Sequence, residues 1–347
     1  MRGGNPFTLD FGTEPTSYIS RKQQTDQIIQ TFSADPSPSH IYMITGVRGT
    51  GKTVLLSEIE NYFCGENWIT CDLSIETDLL QAFAAKLYNV EKLRTWFMNA
   101  KLNLSHFGFG IEIQGVPPIT DLGTAIEQMM KIISKQKKKV LITVDETVNS
   151  ASMRKFASEF QILLRSKYPV YLLMTGLYEN IYDLQNEKTL TFLYRAPKIA
   201  LAPLNASAVT ESYRKIFGNS LEDARRMASV TKGYSYAYQV LGYLCWEMNT
   251  CTVTDSVLSE FDSYMEEYVY GKIWEEQSPV KKKILKGLSS SENGLVTDIR
   301  ESIQMSTSEF SVYRSRLIRQ GLIQADGYGR LAFTLPRFDI FINNQIY

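Results

Sequence analysis

Histidine, cysteine and net charge are all scarce in this sequence. Its 347 residues include two histidines, His40 and His106, and four cysteines, none of which forms a C-x-x-C pair. Such an inventory cannot supply a usual structural zinc site, and it argues against most hydrolases that depend on histidine. Lys and Arg number 37, as do Asp and Glu, so the whole chain has no electrostatic preference for nucleic acid or for an anionic membrane.

Long apolar segments are missing as well. No window approaches the roughly 18 apolar residues that a membrane span needs, and residues 1–6 lack the apolar segment of a signal peptide. We therefore expect a cytoplasmic protein with no membrane partner, in which the cysteines are buried free thiols. The hydrophobic fraction of 44% is ordinary for a globular chain that buries a core.

The hydrophobic pattern of the first two hundred residues predicts an α/β domain. Short apolar segments typical of buried strands lie at 41–45, 68–73, 140–144, 170–174 and 199–201. Helical periodicity lies at 19–32, 53–63, 78–87 and 121–134. Because continuous apolar strands alternate with helices, we expect a parallel sheet that is covered on both faces.

After Leu204 the strands stop, and two smaller domains are predicted. Amphipathic helices at 206–217, 221–230, 236–248 and 253–268 indicate a helical domain. Three more helices, at 280–288, 296–303 and 309–320, precede two apolar segments that flank Asp326-Gly327, a hairpin signal. This order is typical of a winged helix-turn-helix. The predicted domains are therefore 1–204, 205–267 and 268–347.

A glycine-rich turn follows the first predicted strand. It reads Gly46-Val47-Arg48-Gly49-Thr50-Gly51-Lys52-Thr53 and fits the pattern G-x-x-x-x-G-K-[ST] completely. Glycines let successive backbone N–H groups point at phosphate oxygens, and the helix that starts here presents its positive end to the same anion. Lys52 is expected to bind the β- and γ-phosphates of a nucleotide, and the Thr53 hydroxyl to ligate Mg²⁺.

Polar residues lie next to three of the later predicted strands. Asp145 and Glu146 follow the strand 140–144, where Asp145 is expected to hold Mg²⁺ and Glu146 to act as general base on the attacking water. Thr175 follows the strand 170–174 and either orients water or is an ordinary polar residue at a strand end. Arg195 precedes the last strand, and it either contacts a neighbouring subunit's γ-phosphate or pairs with a surface carboxylate.

With these motifs in this order, the chain resembles the AAA+ superfamily. It is most similar to the branch that the initiator (origin-recognition) ATPases share with archaeal and bacterial ATPases carrying a carboxy-terminal winged helix. The resemblance implies a five-stranded parallel P-loop NTPase core, an α-helical lid, and ATP bound between core and lid. Thr175 falls at the family's sensor 1 position and Arg195 at its arginine-finger position. The segment Tyr18-Ile19-Ser20-Arg21-Lys22 resembles the box near adenine, which implies adenine-side roles for Ile19 and Arg21.

The lid departs from the family pattern and leaves two functions open. Many members place an Arg at the start of a lid helix, where this chain has Thr231-Lys232-Gly233-Tyr234-Ser235-Tyr236. The segment is more similar to the Gly-x-Pro element of signal-transducing (STAND) ATPases. One hypothesis is a slow, Mg²⁺-dependent ATPase that forms homo-oligomers in the ATP state and acts on a macromolecule. The alternative is a STAND-like switch that retains ATP as a ligand and uses the winged helix as a docking module.

Two further segments give predictions with open alternatives. In 104–116, Phe107, Phe109, Ile111 and Ile113 alternate with polar residues and glycines, which indicates an extra strand or hairpin that covers an edge or contacts a partner.

The tail, residues 268–347, carries 11 Lys+Arg and 8 Asp+Glu. Ser311, Ser315 and Arg316 are expected to face a DNA major groove. The residues available for phosphates are Arg314, Arg319, Arg330 and Lys281-Lys282-Lys283. Glu309 and Asp326 oppose DNA binding, so duplex DNA and a protein partner both remain open.

Overall fold

A computed structural model gives the structure of residues 4–10 and 15–345. It divides into two compact units, which are described separately. The sheet unit consists of Lys22–Thr45 and Lys52–Ala200, and the lid unit consists of Met1–Arg21, Gly46–Gly51 and Leu201–Tyr347. The division into three domains at residues 204 and 267 stays a prediction.

The sheet unit is built on five parallel strands, as predicted. They are β1 Ile41–Thr45, β2 Ile69–Leu73, β3 Val140–Val144, β4 Val170–Gly176 and β5 Lys198–Ala200. Their order in the sheet is β2-β3-β4-β1-β5. Strands β1, β3 and β4 are buried along their whole length, as expected for the centre of a parallel sheet.

Seven helices belong to the sheet unit within the described residues. They are α1 Lys22–Ser33, α2 Lys52–Gly65, α3 Leu79–Asn89, α4 Glu91–Asn99, α5 Leu122–Lys135, α6 Ala151–Arg165 and α7 Tyr178–Gln185. Asp78, Asp121 and Ser150 start α3, α5 and α6 because each side chain accepts a hydrogen bond from a free N–H of the first turn. The predicted first helix began three residues too early, and no bounds were predicted for α4, α6 or α7.

The segment 104–116 contains no strand, so the prediction of an extra strand or hairpin is wrong. It forms a 3₁₀ turn at Ser105–Phe107 followed by irregular turns. Gly108 and Gly110 have φ values of 77° and 104°, which an extended strand does not accommodate. The rings of Phe107 and Phe109 stack 5.9 Å apart and pack against the core of the sheet unit.

The part of the lid unit that follows residue 201 begins with helices. Its helices are α8 Ala206–Phe217, α9 Leu221–Thr231, α10 Ser235–Glu247 and α11 Asp255–Met265, then a π-helical turn Glu266–Tyr270 and α12 Gly271–Glu275. Phe7 from the amino-terminal segment is 3% exposed and packs among the rings of Tyr213, Phe217 and Tyr238. A Cβ at Gly242 would overlap the Phe7 ring, so this part of α10 needs a glycine.

The winged helix-turn-helix fold is present at the carboxy-terminal end of the lid unit. Its elements are α13 Pro279–Ser289, α14 Val296–Ser302, α15 Thr307–Gln320, β6 Ile323–Ala325, β7 Leu331–Phe333 and α16 Phe338–Asn344. Strands β6 and β7 pair antiparallel and form the predicted hairpin. Helix α16 was not predicted, and it contributes Phe338 and Ile342 to the core of the lid unit.

Two predictions about composition can be compared with the structure. All four cysteines are free, but only Cys71 and Cys245 are buried, and Cys64 is exposed. None of the helices in the described ranges combines the length and the apolar character that crossing a membrane requires.

Candidate functional site

In the sheet unit, four predicted site residues meet at the carboxyl ends of β3 and β4. The Thr53 hydroxyl at the start of α2 donates a hydrogen bond of 2.6 Å to Oδ2 of Asp145. Oδ1 of Asp145 accepts from the Thr175 hydroxyl and, at 2.9 Å, from the backbone N–H of Glu146. Val144 and Met174 are paired across the two strands, so the residues that follow them lie at one edge of the sheet. Both oxygens of Asp145 are therefore held in place.

Glu146 leaves the line of β3 through an unusual backbone conformation. Its φ of 51° is in the left-handed region, which is uncommon for a residue with a side chain. The turn leaves Asp145 half-buried and the Glu146 side chain exposed to solvent. Their roles as metal ligand and general base stay predictions.

A polar contact that the sequence did not reveal supports the same cluster. The Thr143 hydroxyl on β3 donates a hydrogen bond to Glu60 on α2. Burial raises the pKa of Glu60, and the bond from Thr143 opposes that rise. Glu60 follows Thr53 by two helical turns and Thr143 precedes Asp145 by two strand residues, so the two bonds together fix α2 against β3.

In the lid unit, the carbonyl groups of the glycine-rich loop, residues 46–51, are held by the segment that starts α10. The Tyr234 hydroxyl donates to the Arg48 carbonyl, the Tyr236 N–H donates to the Gly49 carbonyl at 3.0 Å, and the Ser235 hydroxyl donates to the Thr50 carbonyl at 3.0 Å. Three consecutive peptide planes are thereby fixed, and with them the directions of the N–H groups on those planes.

Arg21 also binds the loop through its guanidinium group. The group donates to the Thr50 carbonyl at 3.0 Å, to the Ser235 hydroxyl at 3.3 Å and to the Ala202 carbonyl at 2.6 Å. Burial lowers the pKa of Arg21 from its ordinary value, although an arginine stays charged at any physiological pH. Arg21 therefore acts as a structural clamp on the loop.

Glycine at position 49 is required by its neighbours. Its φ is 73°, and a Cβ there would overlap the Tyr234 hydroxyl and lie 2.9 Å from Cβ of Tyr236. We expect Gly49→Ala to lower the free energy of unfolding by about 3 kcal/mol, from left-handed strain and from overpacking. Chemical denaturation measures this loss.

Gly218→Ala is the matched control for that prediction. Gly218 has a φ of 64° and nothing within 4 Å of the Cβ position, so its substitution adds left-handed strain alone. We expect Gly218→Ala to lose only about 1 kcal/mol. Equal losses in the two variants would contradict the close packing of Tyr234 and Tyr236 on the loop.

The loop also contacts the carboxy-terminal part of the lid unit. The Arg48 guanidinium forms an ion pair of 2.7 Å with Glu276, the residue after α12. A Cβ at Gly321, which ends α15, would lie 3.8 Å from the Val47 side chain. The sequence marks 231–236 as an unusual segment, but no local pattern indicates the contacts of Tyr234, Ser235 and Tyr236. It contains no signal for Glu276 either.

The remaining predicted site residues are distributed over both units. Lys52 is the first residue of α2 and is 9% exposed. Arg195 is exposed at the end of the 3₁₀ turn Thr191–Arg195, and Ile19 is half-buried against the core of the lid unit. The arginine-finger role of Arg195 and the adenine-side roles of Ile19 and Arg21 stay predictions.

The residues expected to contact DNA differ in their exposure. Ser311, Arg316, Arg319 and Arg330 are exposed, and Ser315 and Arg314 are half-buried. Lys281 is only 5% exposed, so the expectation that it is available to a phosphate is wrong. Lys282 Nζ lies 5.2 Å from the centre of the Trp274 ring.

Two solved structures are similar to nearly the whole chain. The Walker-type ATPase of Pyrococcus abyssi is 12% identical with a TM-score of 0.65, and the similarity covers 94% of this chain and 96% of that one. The ORC2 protein of Aeropyrum pernix, solved as ADPNP and ADP complexes, is 13% identical with a TM-score of 0.59 over 97% and 96% of the two chains. These similarities establish that the chain shares the fold of these two proteins.

Sequence comparisons match shorter parts of the chain. The tRNA threonylcarbamoyladenosine biosynthesis protein TsaE of Rickettsia bellii is 32% identical over 72 residues, which are 21% of this chain and 49% of that protein. The same protein of Rickettsia conorii is 26% identical over 97 residues, 28% and 54% of the two chains. The chain thus spans about half the length of these curated relatives. Residues 267–342 match the family described as "Domain of unknown function (DUF8462)".

Proposed function

We propose that this protein binds ATP with Mg²⁺ at residues 46–53, hydrolyses ATP slowly, and acts as a nucleotide-driven switch on a macromolecular partner. The hydrogen bond of 2.6 Å between Thr53 and Asp145 is the observation that carries the proposal. Thr53 ends a complete phosphate-loop sequence, and Asp145 ends the strand from which such ATPases take their acidic residue. The bond therefore joins the two motifs on which nucleotide hydrolysis depends.

The chemistry of this cluster fits Mg²⁺. Hydroxyl and carboxylate oxygens are the donors that Mg²⁺ prefers, and Thr53 and Asp145 would hold the ion. When bound, Mg²⁺ would neutralise negative charge on the β- and γ-phosphates. The Thr175 hydroxyl donates a hydrogen bond to Asp145, so we propose that Thr175 positions the metal ligand. Glu146, exposed beside them, would accept the proton of the attacking water, and Lys52 would bind the phosphates.

The choice of adenine over guanine rests on the similar structures. The ORC2 protein of Aeropyrum pernix is described as ADPNP and ADP complexes, which supports an adenine nucleotide for this chain. Ile19 remains the proposed contact with adenine. Arg21 already donates a hydrogen bond to the Thr50 carbonyl of the loop, so we propose that it supports the site by holding Thr50.

A second function is favoured by the contacts inside the lid unit. Tyr234, Ser235 and Tyr236 hold the loop carbonyls, and Arg48 pairs with Glu276 next to the winged helix. A STAND-like switch would use such contacts to report the nucleotide state to the winged helix, with ATP as a retained ligand. Release of many phosphates per chain supports the ATPase, whereas stoichiometric ATP that stays bound without phosphate release supports the switch.

Duplex DNA is the partner that we propose for the winged helix. Arg316 and Arg330 are exposed there, on α15 and on the loop of the wing. We expect a salt-sensitive mobility shift on duplex DNA that Arg316→Ala and Arg330→Ala weaken together by about tenfold or more, because each removes a contact with a phosphate or a base. A shift that is absent at low salt would leave a protein partner as the remaining proposal.

A further inference from the structure

The amino-terminal edge of the sheet, opposite the edge that holds Asp145, is formed by three neighbouring helix-to-strand turns. These turns join α2 to β2, α5 to β3 and α6 to β4. The first residues of the three strands, Ile69, Val140 and Val170, are paired in register across the sheet. The turns before them therefore lie side by side, about one strand spacing of 4.8 Å apart.

The three turns share one backbone conformation. Asn67, Lys137 and Lys167 have φ values of 61°, 53° and 57°, all in the left-handed region. Lys137 donates its N–H to the Ser134 carbonyl and Lys167 donates to the Leu164 carbonyl, both at 2.9 Å. Glycine is the usual residue in such a position because it has no Cβ. Two adjacent turns thus present a lysine at a place where glycine would be less strained.

Positive charge is concentrated on the two turns that lead into β3 and β4. Residues 131–139 contain five lysines and no acidic residue, and 165–169 add Arg165 and Lys167. Lysines near a helix end interact with its dipole, but this effect is confined to the last turn. Residues 137–139 and Lys167 lie beyond the ends of α5 and α6. The neighbouring loops contribute the carboxylates Glu66 and Asp35, which flank this positive stretch.

Two of these lysines are already held in position by their neighbours. Lys139 Nζ lies 4.9 Å from the centre of the Trp68 ring and 5.5 Å from that of Tyr171, and Lys138 Nζ donates to the Asn67 carbonyl at 3.2 Å. Lys135, Lys137 and Lys167 are exposed, and within the described ranges none of them forms an ion pair with a carboxylate. Their charge is therefore available to a partner.

We propose that this surface binds the phosphate backbone of a single-stranded nucleic acid. We call it the basic edge, and it consists of Lys135, Lys137, Lys138, Lys139, Arg165 and Lys167. A chain of ring contacts connects the exposed Tyr62 with this surface. Its ring lies 5.2 Å from that of Phe63, the Phe63 ring lies 4.3 Å from that of Trp68, and Lys139 lies over Trp68. Aromatic rings among cations suit a single strand, because the bases stack while the phosphates meet the charges.

Lys137→Gly and Lys167→Gly test the basic edge without endangering the fold. Glycine adopts the left-handed conformation of both positions, so the double variant should melt at the wild-type temperature or above it. With a fluorescent single strand of thymidines in an anisotropy titration, we expect about tenfold weaker binding at low salt. The slope of log affinity against log salt should fall by about 1.4, which corresponds to two phosphate contacts.

Lys101→Gly is the matched control for the single variant Lys137→Gly. Lys101 is also an exposed lysine in the left-handed region, with a φ of 55°, in a turn that leads into no strand. We expect Lys101→Gly to leave the affinity for the single strand of thymidines unchanged. Equal effects of Lys101→Gly and Lys137→Gly, or wild-type affinity in the double variant, would overturn the proposal.

Two further outcomes distinguish strand binding at the basic edge from binding at the winged helix and from binding of an acidic protein. If Arg316→Ala with Arg330→Ala removes strand binding and the lysine variants do not, the winged helix is the binding surface and the proposal is wrong. If a poly-glutamate peptide displaces the strand at equal concentration of negative charge, the edge fits an acidic protein and the assignment to nucleic acid is wrong. Loss of strand binding in the lysine variants alone, with weak competition by poly-glutamate, supports the proposal.

Discussion

Glu146→Gln is expected to lower the steady-state rate of ATP hydrolysis by about a hundredfold or more and to leave Mg-ATP binding close to the wild-type affinity. Glutamine has nearly the same shape as glutamate but cannot accept the proton of the attacking water. The Asp145 carboxylate should keep its position, because Glu146 contributes a backbone N–H and Thr53 and Thr175 contribute hydroxyls. Phosphate release and nucleotide titration, measured on the same sample, check both halves of the prediction.

Glu127→Gln and Asp145→Asn are the two variants to compare with Glu146→Gln. Glu127 is an exposed carboxylate on α5 of the same unit, and its substitution should change neither rate nor binding. Asp145→Asn removes a proposed ligand of Mg²⁺, so it should weaken Mg-ATP binding as well as turnover. Wild-type turnover in Glu146→Gln would show that another group serves as the general base.

If Arg195 acts as an arginine finger in trans, Arg195→Ala is expected to lower the ATPase rate by about a thousandfold. The part of the rate that is lost should be the part that depends on protein concentration. Arg195 is exposed and, in the part of the chain that the structure describes, forms no ion pair with a carboxylate. A free cation of this kind can stabilise negative charge that develops on a neighbouring subunit's γ-phosphate. Turnover and oligomer size, measured over a range of protein concentrations, check this expectation.

Mixing the two inactive variants tests whether Arg195 acts between subunits. In a mixed oligomer, a Glu146→Gln subunit offers an intact Arg195 to the intact Glu146 of an Arg195→Ala subunit. Activity should therefore return on mixing, while Lys188→Ala, which removes an exposed cation nearby in the sequence, should be active alone. No recovery in the mixture, with mixed oligomers present, would exclude a role in trans.

The sequence predicted those elements whose periodicity is strong and local. Strand β1 and helix α8 have the predicted bounds, because a largely apolar strand and a strongly amphipathic helix each leave a clear pattern. The alternation at 104–116 was misleading, since it comes from aromatic side chains that pack on the core between glycines with positive φ. A period of two is therefore insufficient evidence for a strand where glycines interrupt it.

The side-chain contacts described in the two units differed in the same way. Thr53 and Asp145 could be predicted because each belongs to a short motif with a fixed place at a strand end. The contacts of Tyr234 with Arg48 and of Arg48 with Glu276 join residues 186 and 228 positions apart. No local pattern encodes such pairs, so only the fold brings them to light. The packing of Tyr234 and Tyr236 on the loop also leaves no room for a side chain at position 49.

Titration calorimetry of the wild-type protein with ATP, in the presence and absence of Mg²⁺, is the most direct test of the proposed nucleotide site. We predict saturable binding at one site per chain, weakened by about tenfold or more when EDTA removes the metal or when Lys52→Ala removes the phosphate-binding charge. Gly218→Ala, distant in sequence from the motif, should bind as the wild type does. Two results would contradict a nucleotide site at residues 46–53. One is a folded wild-type protein that binds no Mg-ATP, and the other is a Lys52→Ala variant that binds Mg-ATP as tightly as the wild type.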